Sequence, residues 1–468
     1  MQAMSATGLP SDLLARLEAQ LGPGGLLTDE ADCAPYGIDW RRLFPGRAAA
    51  VARPSNTGQV SSIVGLCREA GIALVPQGGH TGLAGGATPD ASGRQIVLSL
   101  ARMNAVRAVD PVGLTMEVEA GCVVQAAQGA AEAAGRLFPV SYGAEGSAMV
   151  GGMIATNAGG INVLRYGMTR SLVLGLEVVL ADGSIVDGLR SLRKDNAGYD
   201  WKQLFIGSEG TLGIVTAAVL RLVPRPRYTE TALLAVHDPE AALRILSAAQ
   251  DGLGDTIQAF ELISRCSFDL LERHAGLSCP LPPSPWCVLL EAGSSLSGLR
   301  DAVEGTLGEA LERGDAVDGV LAESKAQAAG LWSLRERITE CEAHQGKSVK
   351  HDVSVPIPAI PAFLEAADRA LAEDAPGTVA NVFGHMGDGN LHYNVLVGPE
   401  HDGAAINRLV HDVVDRFAGS ISAEHGIGQY RVDELARRRR PEEMALASRL
   451  KRALDPDGLL NPGKVLRG

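Results

Sequence analysis

The sequence predicts an α+β protein of more than one domain, on three observations. Helix-like apolar spacing gives way to a short strand and a glycine loop between residues 53 and 86. A β-hairpin pattern runs from residue 174 to 187, and after Pro224 and Pro226 strand-like runs alternate with helical ones to about residue 415. At roughly 150 residues per domain, the 468 residues predict two or three domains. A chain this long buries most of its apolar surface, so the fold needs neither disulfide nor metal to hold it. The 46% apolar content excludes bulk disorder, and the net charge of −13 argues against nucleic-acid binding and against adhesion to anionic membrane.

From the N-terminus, MQAMSATGLP lacks a basic stretch followed by an apolar core, so no secretory leader is predicted. No apolar run approaches the ~20 residues a membrane span needs. Leu13, Leu14, Leu17 and Leu21 follow at helical spacing, with Ser11 as the expected N-cap. Asn56 or Thr57 caps the next helix, whose apolar face is Val60, Ile63, Val64 and Cys67; Gly71 ends it, and the run Ile72 to Val75 is a strand. In LGLEVVLADGSIVD, Asp182-Gly183 marks a two-residue hairpin turn. The C-terminal portion, from about residue 416, is helical, with a solvated Arg-rich end at Arg437 to Arg440. Trp40, Trp201, Trp286 and Trp332 are expected to pack. The seven cysteines are odd in number, widely spaced and without CxxC. They therefore predict buried thiols in a reducing cytoplasm rather than a disulfide framework or zinc ribbon.

Glycine is 56 of the 468 residues, about 12% against a usual ~7%, and concentrates in three loops: Gly78 to Gly86, Gly143 to Gly160 and Gly207 to Gly213. Such loops let backbone N–H groups converge on phosphate oxygens, although one alone is as well explained by a turn. There is no GxxxxGK[ST], and no GxGxxG opens a helix, so neither a P-loop nor a Rossmann site accounts for them.

Together these loops carry a resemblance. PQGGHTGLAGG (Pro76 to Gly86), VGGMIATNAGG (Val150 to Gly160), LRYG (Leu164 to Gly167) and IGSEGTLGIVT (Ile206 to Thr216) resemble the vanillyl-alcohol-oxidase-like flavoproteins, in order and over about residues 36 to 468. The resemblance implies a two-part FAD-binding domain (1–225), an antiparallel-sheet α+β substrate-binding domain (226–415) and a C-terminal portion (416–468) that completes the active site. FAD would be held by Pro76, Gln77, Gly78, Gly79, His80, Thr81, Gly82, Gly85 and Gly86 in the first loop. The second stretch would add Ser147, Gly151, Gly152, Thr156, Asn157, Gly160 and Gly167, and the third Glu209, Gly210, Gly213 and Ile214, with Asn461 near the C-terminus. The D-2-hydroxyglutarate dehydrogenases of this superfamily usually read GGNTG where this chain has GGHTG. His80 is expected to hydrogen-bond beside a non-covalent flavin; the alternative is the covalent link to the flavin C8 methyl that a His in a similar context carries in other branches.

Two short motifs hold three histidines, GHMGDGNLHYN (Gly384 to Asn394) and SAEHGIG (Ser422 to Gly428). A hairpin centred on Asp388-Gly389 would set His385 directly opposite His392, with Cβ atoms about 4.5–5.5 Å apart. That separation suits two imidazoles on one metal, and a carboxylate such as Glu424 would complete a His₂Glu set. Coincidence explains the histidine pair alone equally well. Asn394 would share the face of His392. In LWSLRERITE, Arg335 and Thr339 lie four apart on a helix and could clamp a carboxylate, or could form a solvated face.

The resemblance to the D-2-hydroxyglutarate dehydrogenases assigns these residues. It implies that His385, His392 and Glu424 bind Zn²⁺ or another divalent ion such as Mn²⁺, that His425 is the catalytic base, and that Arg335, Thr339 and Lys350 hold the distal carboxylate of a 2-hydroxy acid, with Asn394 also on the substrate. It further implies an electron acceptor such as an electron-transfer flavoprotein or a quinone, and a homodimer. Oxidation of D-lactate, glycolate or D-malate is the alternative within the family. A His₂Glu zinc hydrolase and a non-enzymatic FAD-fold module are the alternatives outside it.

Overall fold

The computed structural model describes residues 8–467 and divides into two compact units. The first comprises the chain up to Gly160, Met168–Pro224 and the chain from Glu424 onward; the second comprises Ile161–Gly167 and Arg225–Ala423. The C-terminal segment is thus part of the first unit rather than a body of its own. The first residues, on which the reading of the N-terminus partly rests, lie outside the described residues.

The first unit contains two principal sheets. In one, the strands Ala48–Ala52, Gln95–Ser99 and Leu74–Gln77 run parallel, with Leu26–Leu27 antiparallel at the edge. All five residues of Gln95–Ser99 are buried, as a parallel strand covered on both faces requires. The helix Thr57–Ala70 covers this sheet; Asn56 Oδ1 accepts from Gln59 N at 3.0 Å, and Gly71 closes it with φ 66°. The helix Ser11–Leu21 packs Leu13, Leu17 and Leu21 into the same core. Its cap position is Pro10, without a side-chain cap, so Ser11 is the first helical residue rather than the N-cap.

The other sheet is antiparallel, in the order Val106–Asp110, Thr115–Glu119, Ile214–Arg221, Val173–Val179, Ile185–Gly188. The predicted hairpin is its last pair. Leu180 N donates to Ser184 O and Gly183 N to Leu180 O, so the turn takes three residues with Gly183 at φ 86°, not two.

The second unit is one large antiparallel sheet in the order Asp318–Leu321, Tyr228–Val236, Trp286–Ser294, Ile257–Ser264, Val379–Gly384, Asn390–Leu396, Ser348–Val349, with Asp352–Ser354 also paired to Asn390–Leu396. Its strands alternate between two apolar faces. Ala232, Leu234 and Val236 pack under the helices Pro239–Leu253, Leu299–Glu312, Ile360–Asp374 and Gly403–Arg416. Leu233 and Ala235 face the helices Arg265–Ala275, Lys325–Glu336 and Ile338–Gln345. Burial on both faces explains why these strands read as apolar runs rather than as alternating patterns.

Several expectations need correction. Trp40 is 66% exposed and does not pack, whereas Trp332 is buried and donates Nε1–H to Glu291. Arg438 is largely covered and bonded to Glu434, so the Arg-rich helix end is only partly solvated. All seven cysteines are free, but Cys266 and Cys279 are only half-buried.

Candidate active site

In the first unit the three glycine loops converge. Gly79 approaches Ser147 so closely that a Cβ would stand 2.0 Å from the Ser147 carbonyl oxygen, and one on Gly210 would meet Pro76 Cγ at 3.2 Å. Glu209 sits at φ 52° and binds through both carboxylate oxygens, accepting from Ile427 N and Gly428 N, each at 2.7 Å. Asn461, at φ 47° and 1% exposed, donates from Nδ2 to Gly86 O and Glu209 O, both at 2.8 Å. Gln77 donates to Tyr36 O and Ala87 O, fixing the start of the first loop. Asn157 takes the left-handed conformation that ends the helix Val150–Thr156, and its Oδ1 accepts from Arg170 N. Burial raises the carboxyl pKa of Glu209 despite its two backbone donors and nearby Arg431.

His80 stands at φ 55° with Nε2 3.1 Å from Thr88 Oγ1. Burial lowers its pKa against the opposing charge of Asp39. Thr88 thus supplies a hydrogen-bond partner for the His80 ring. Gly213 and Ile214 serve packing: a Cβ on Gly213 would meet Phe205 and Val178 at 2.7 Å, and Ile214 is buried. Gly167 ends the helix Val163–Tyr166 and falls within the second unit. There Leu164 packs in the main core and Arg165 donates to Gln258 Oε1 and Gly293 O. The remaining loop residues fit an FAD cradle on one independent observation. Asn461 Oδ1 is a buried acceptor without a protein partner, beside the junction of two glycine loops.

In the second unit the register differs from that expected for the histidine hairpin. The strands Val379–Gly384 and Asn390–Leu396 pair Phe383 with His392 and Asn381 with Asn394. His385 is not opposite His392, because the connection is a 3₁₀ turn, Met386–Asp388, longer than the two residues assumed. The rings still approach, with centroids 6.0 Å apart. The partner of His385 lies on the other side: the ladder with Ile257–Ser264 ends at Leu262↔Gly384, and one further step sets His385 opposite Glu261.

Glu261 is fully buried and is the centre of this region. Its Oε1 accepts from His385 Nδ1 at 2.5 Å and its Oε2 from Arg335 Nε at 2.6 Å. Burial alone would raise its pKa, but the charges of His385 and Arg335 and their hydrogen bonds outweigh it and hold the carboxyl at about 2. An ionised carboxylate only accepts, so His385 carries a proton on Nδ1 and its Nε2 is the nitrogen directed away from Glu261. Arg335 also lies over Phe383, with Cζ 4.8 Å from the ring centroid.

A second buried carboxylate, Glu342, accepts from Ser348 Oγ and Lys350 Nζ on one oxygen and from Asn381 Nδ2 and Asn394 Nδ2 on the other, at 2.6–2.9 Å. Burial opposes its ionisation, yet Lys350 and these donors hold its pKa below the usual range. Arg335 and Lys350 are therefore each neutralised by a carboxylate of the same unit. Thr339 does not share the environment of Arg335: the helix breaks at Arg337, leaving Arg335 buried and Thr339 exposed.

Of the predicted metal set, His385 and His392 belong to the second unit, while Glu424 and His425 open the last segment of the first. Glu424 Oε1 accepts from Gly160 N at 2.5 Å. The preceding residue, Ala423, donates to Asp352 O in the strand paired with that of His392. Glu261 and Glu342 carry no motif in the sequence. Glu261 had a signal, a lone carboxylate in the apolar run IQAFELIS; Glu342, in a mixed helix, had none.

Residues 225–465 match the family described as FAD linked oxidases, C-terminal domain, and residues 48–188 match the FAD binding domain family. The chain is 40% identical to the mitochondrial D-2-hydroxyglutarate dehydrogenase of Bos taurus, over 100% of this chain and 85% of that one. It is also 40% identical to the D-2-hydroxyglutarate dehydrogenase of Xanthomonas citri pv. viticola, over 94% of each. Among solved structures, p-cresol methylhydroxylase with substrate bound shares the fold at a TM-score of 0.75 and 16% identity, covering 99% of this chain and 98% of that one. The chain belongs to the FAD-linked oxidases and, within them, to the family of the D-2-hydroxyglutarate dehydrogenases.

Proposed function

We propose that this protein oxidises D-2-hydroxyglutarate to 2-oxoglutarate with FAD and a divalent metal, the ion being held by His385, His392 and Glu424. The observation that carries the metal assignment is the Glu261–His385 bond, since a carboxylate on the distal nitrogen of a histidine is the usual support of a metal-bound imidazole. When bound, the metal lowers the pKa of a substrate hydroxyl and FAD accepts the Cα hydride at N5. His425 is the base that takes the hydroxyl proton. Arg335 has its Nε committed to Glu261, so its terminal nitrogens are the edge offered to the distal carboxylate, with Lys350 as a further donor. Because both cations are already paired, preference for a dicarboxylate rests on the direction of these donors rather than on net positive charge. Asn394, whose Nδ2 donates to Glu342 and whose Oδ1 accepts from His351 N, lies two residues beyond His392 on the same strand.

The flavin is non-covalent, with His80 bonded to Thr88. The acceptor is an electron-transfer flavoprotein or a quinone, the enzyme is a homodimer, and its compartment is the cytoplasm. Among the described residues no helix is long and apolar enough to cross a membrane.

The test is anaerobic addition of 2-hydroxy acids to the purified yellow protein. Bleaching of the flavin band by D-2-hydroxyglutarate in preference to D-lactate is the expected result. Bleaching by D-lactate alone would move the enzyme to that substrate, and a colourless protein that takes up no FAD would overturn the reading.

A further inference from the structure

We infer that Glu261 is a positioning residue that sets the metal-binding histidine and the substrate-binding arginine together, so that metal affinity and dicarboxylate preference depend on one side chain. The inference rests on the function proposed above. Glu261 occupies a strand position whose same-face neighbours, Ala259 and Ile263, are core residues. A carboxylate there is deprived of water, so it must be compensated by its partners.

It has two oxygens and two charged or polar donors, one on each: His385 Nδ1 on Oε1 and Arg335 Nε on Oε2. The last ladder pair, Leu262↔Gly384, brings His385 next to Glu261, and the ring of Phe383 lies against the guanidinium of Arg335. The bond to His385 fixes both ring orientation and tautomer, directing lone-pair density to Nε2. The bond to Arg335 fixes the rotation of the guanidinium about its plane, which determines where its terminal nitrogens point. Neither effect requires Glu261 to touch metal or substrate.

Glutamine cannot replace it. Its single oxygen accepts from one partner only, and its NH₂ is then set against the N–H of the other.

The experiment compares wild-type flavoprotein with Glu261→Gln, both stripped with EDTA and titrated with Zn²⁺ by calorimetry, then assayed with D-2-hydroxyglutarate and D-lactate. Wild type must first bind zinc and be reduced by D-2-hydroxyglutarate; if it does neither, the proposed function fails and not merely this inference. Given that, Glu261→Gln is expected to weaken Zn²⁺ binding about 10–100-fold. It is also expected to lower the preference for D-2-hydroxyglutarate over D-lactate about tenfold, mainly through KM. Flavin content, set in the other unit, is expected to stay at the wild-type level. Glu261→Asp, which keeps both acceptor oxygens at shorter reach, is expected to fall between the two in both readouts and serves if the glutamine variant does not fold. A variant that melts earlier but keeps wild-type zinc affinity, or keeps wild-type substrate preference, overturns the inference, because a purely structural carboxylate would affect neither.

Discussion

Glu209 and Glu261 are both carboxylates withdrawn from water and bonded through both oxygens, but they are held by opposite kinds of donor. Glu209 receives two backbone N–H groups, from Ile427 and Gly428, and burial leaves its pKa above the ordinary value. Glu261 receives an arginine and a histidine, and its pKa falls to about 2. Glu209 ties a glycine loop to a segment more than 200 residues away, which is scaffolding for a cofactor cradle. Glu261 fixes two side chains of the proposed metal and substrate site and is electrostatically committed to them. The same residue type thus ties loops together where its donors are amides and, in the proposed function, orients site residues where they are side chains.

The largest effect that would sharpen this contrast is loss of stability on removing each carboxylate. Glu261→Leu leaves a buried guanidinium without its counter-ion and is expected to cost about 3–5 kcal/mol in denaturant unfolding. Glu209→Ala leaves two backbone donors unpaired and is expected to cost about 2–4 kcal/mol, with loss of FAD on gel filtration. If Glu261→Leu costs less than Glu209→Ala, the contrast is wrong.

Acid gives the next test, because the two shifts have opposite signs. Glu261 has a native pKa below its ordinary 4.5, so its stabilisation is complete above that pH and is lost as pH falls through about 2. The stability advantage of wild type over Glu261→Gln should therefore shrink over that window. Glu209 has a raised native pKa, so wild type should instead gain on Glu209→Gln as pH falls towards the ordinary carboxylate value. The smallest effect is expected at His80, where His80→Asn removes one bond to Thr88. It should cost about 1 kcal/mol, and acid precipitation of wild type and variant alike should leave the yellow colour in the supernatant.

How much of this was legible depended on the range of the interaction. The Asn56 cap, the Gly71 stop and the apolar stripe between them are local, and the structure shows all three. The glycine loops were legible as motifs, but that Asn461 joins two of them depends on contacts spanning hundreds of residues. The histidine hairpin shows the limit most clearly. Its strands and turn were readable, yet a turn longer than two residues set Phe383 opposite His392, and His385 bonds instead to Glu261 of the neighbouring strand. Arg335 and Thr339 do not share a helix face for a similar reason, since spacing of four implies a common face only while the helix continues, and it breaks at Arg337. Sheet pairing chose Glu261, and no single-strand pattern encodes pairing.

The most direct test of the proposed chemistry is anaerobic stopped-flow reduction of the flavin by D-2-hydroxyglutarate carrying hydrogen or deuterium at C2, before and after EDTA treatment. The account predicts reduction that deuterium slows several-fold, that EDTA abolishes and that added Zn²⁺ restores. Reduction at the same rate in metal-stripped protein, or no reduction of an FAD-loaded enzyme, would contradict it.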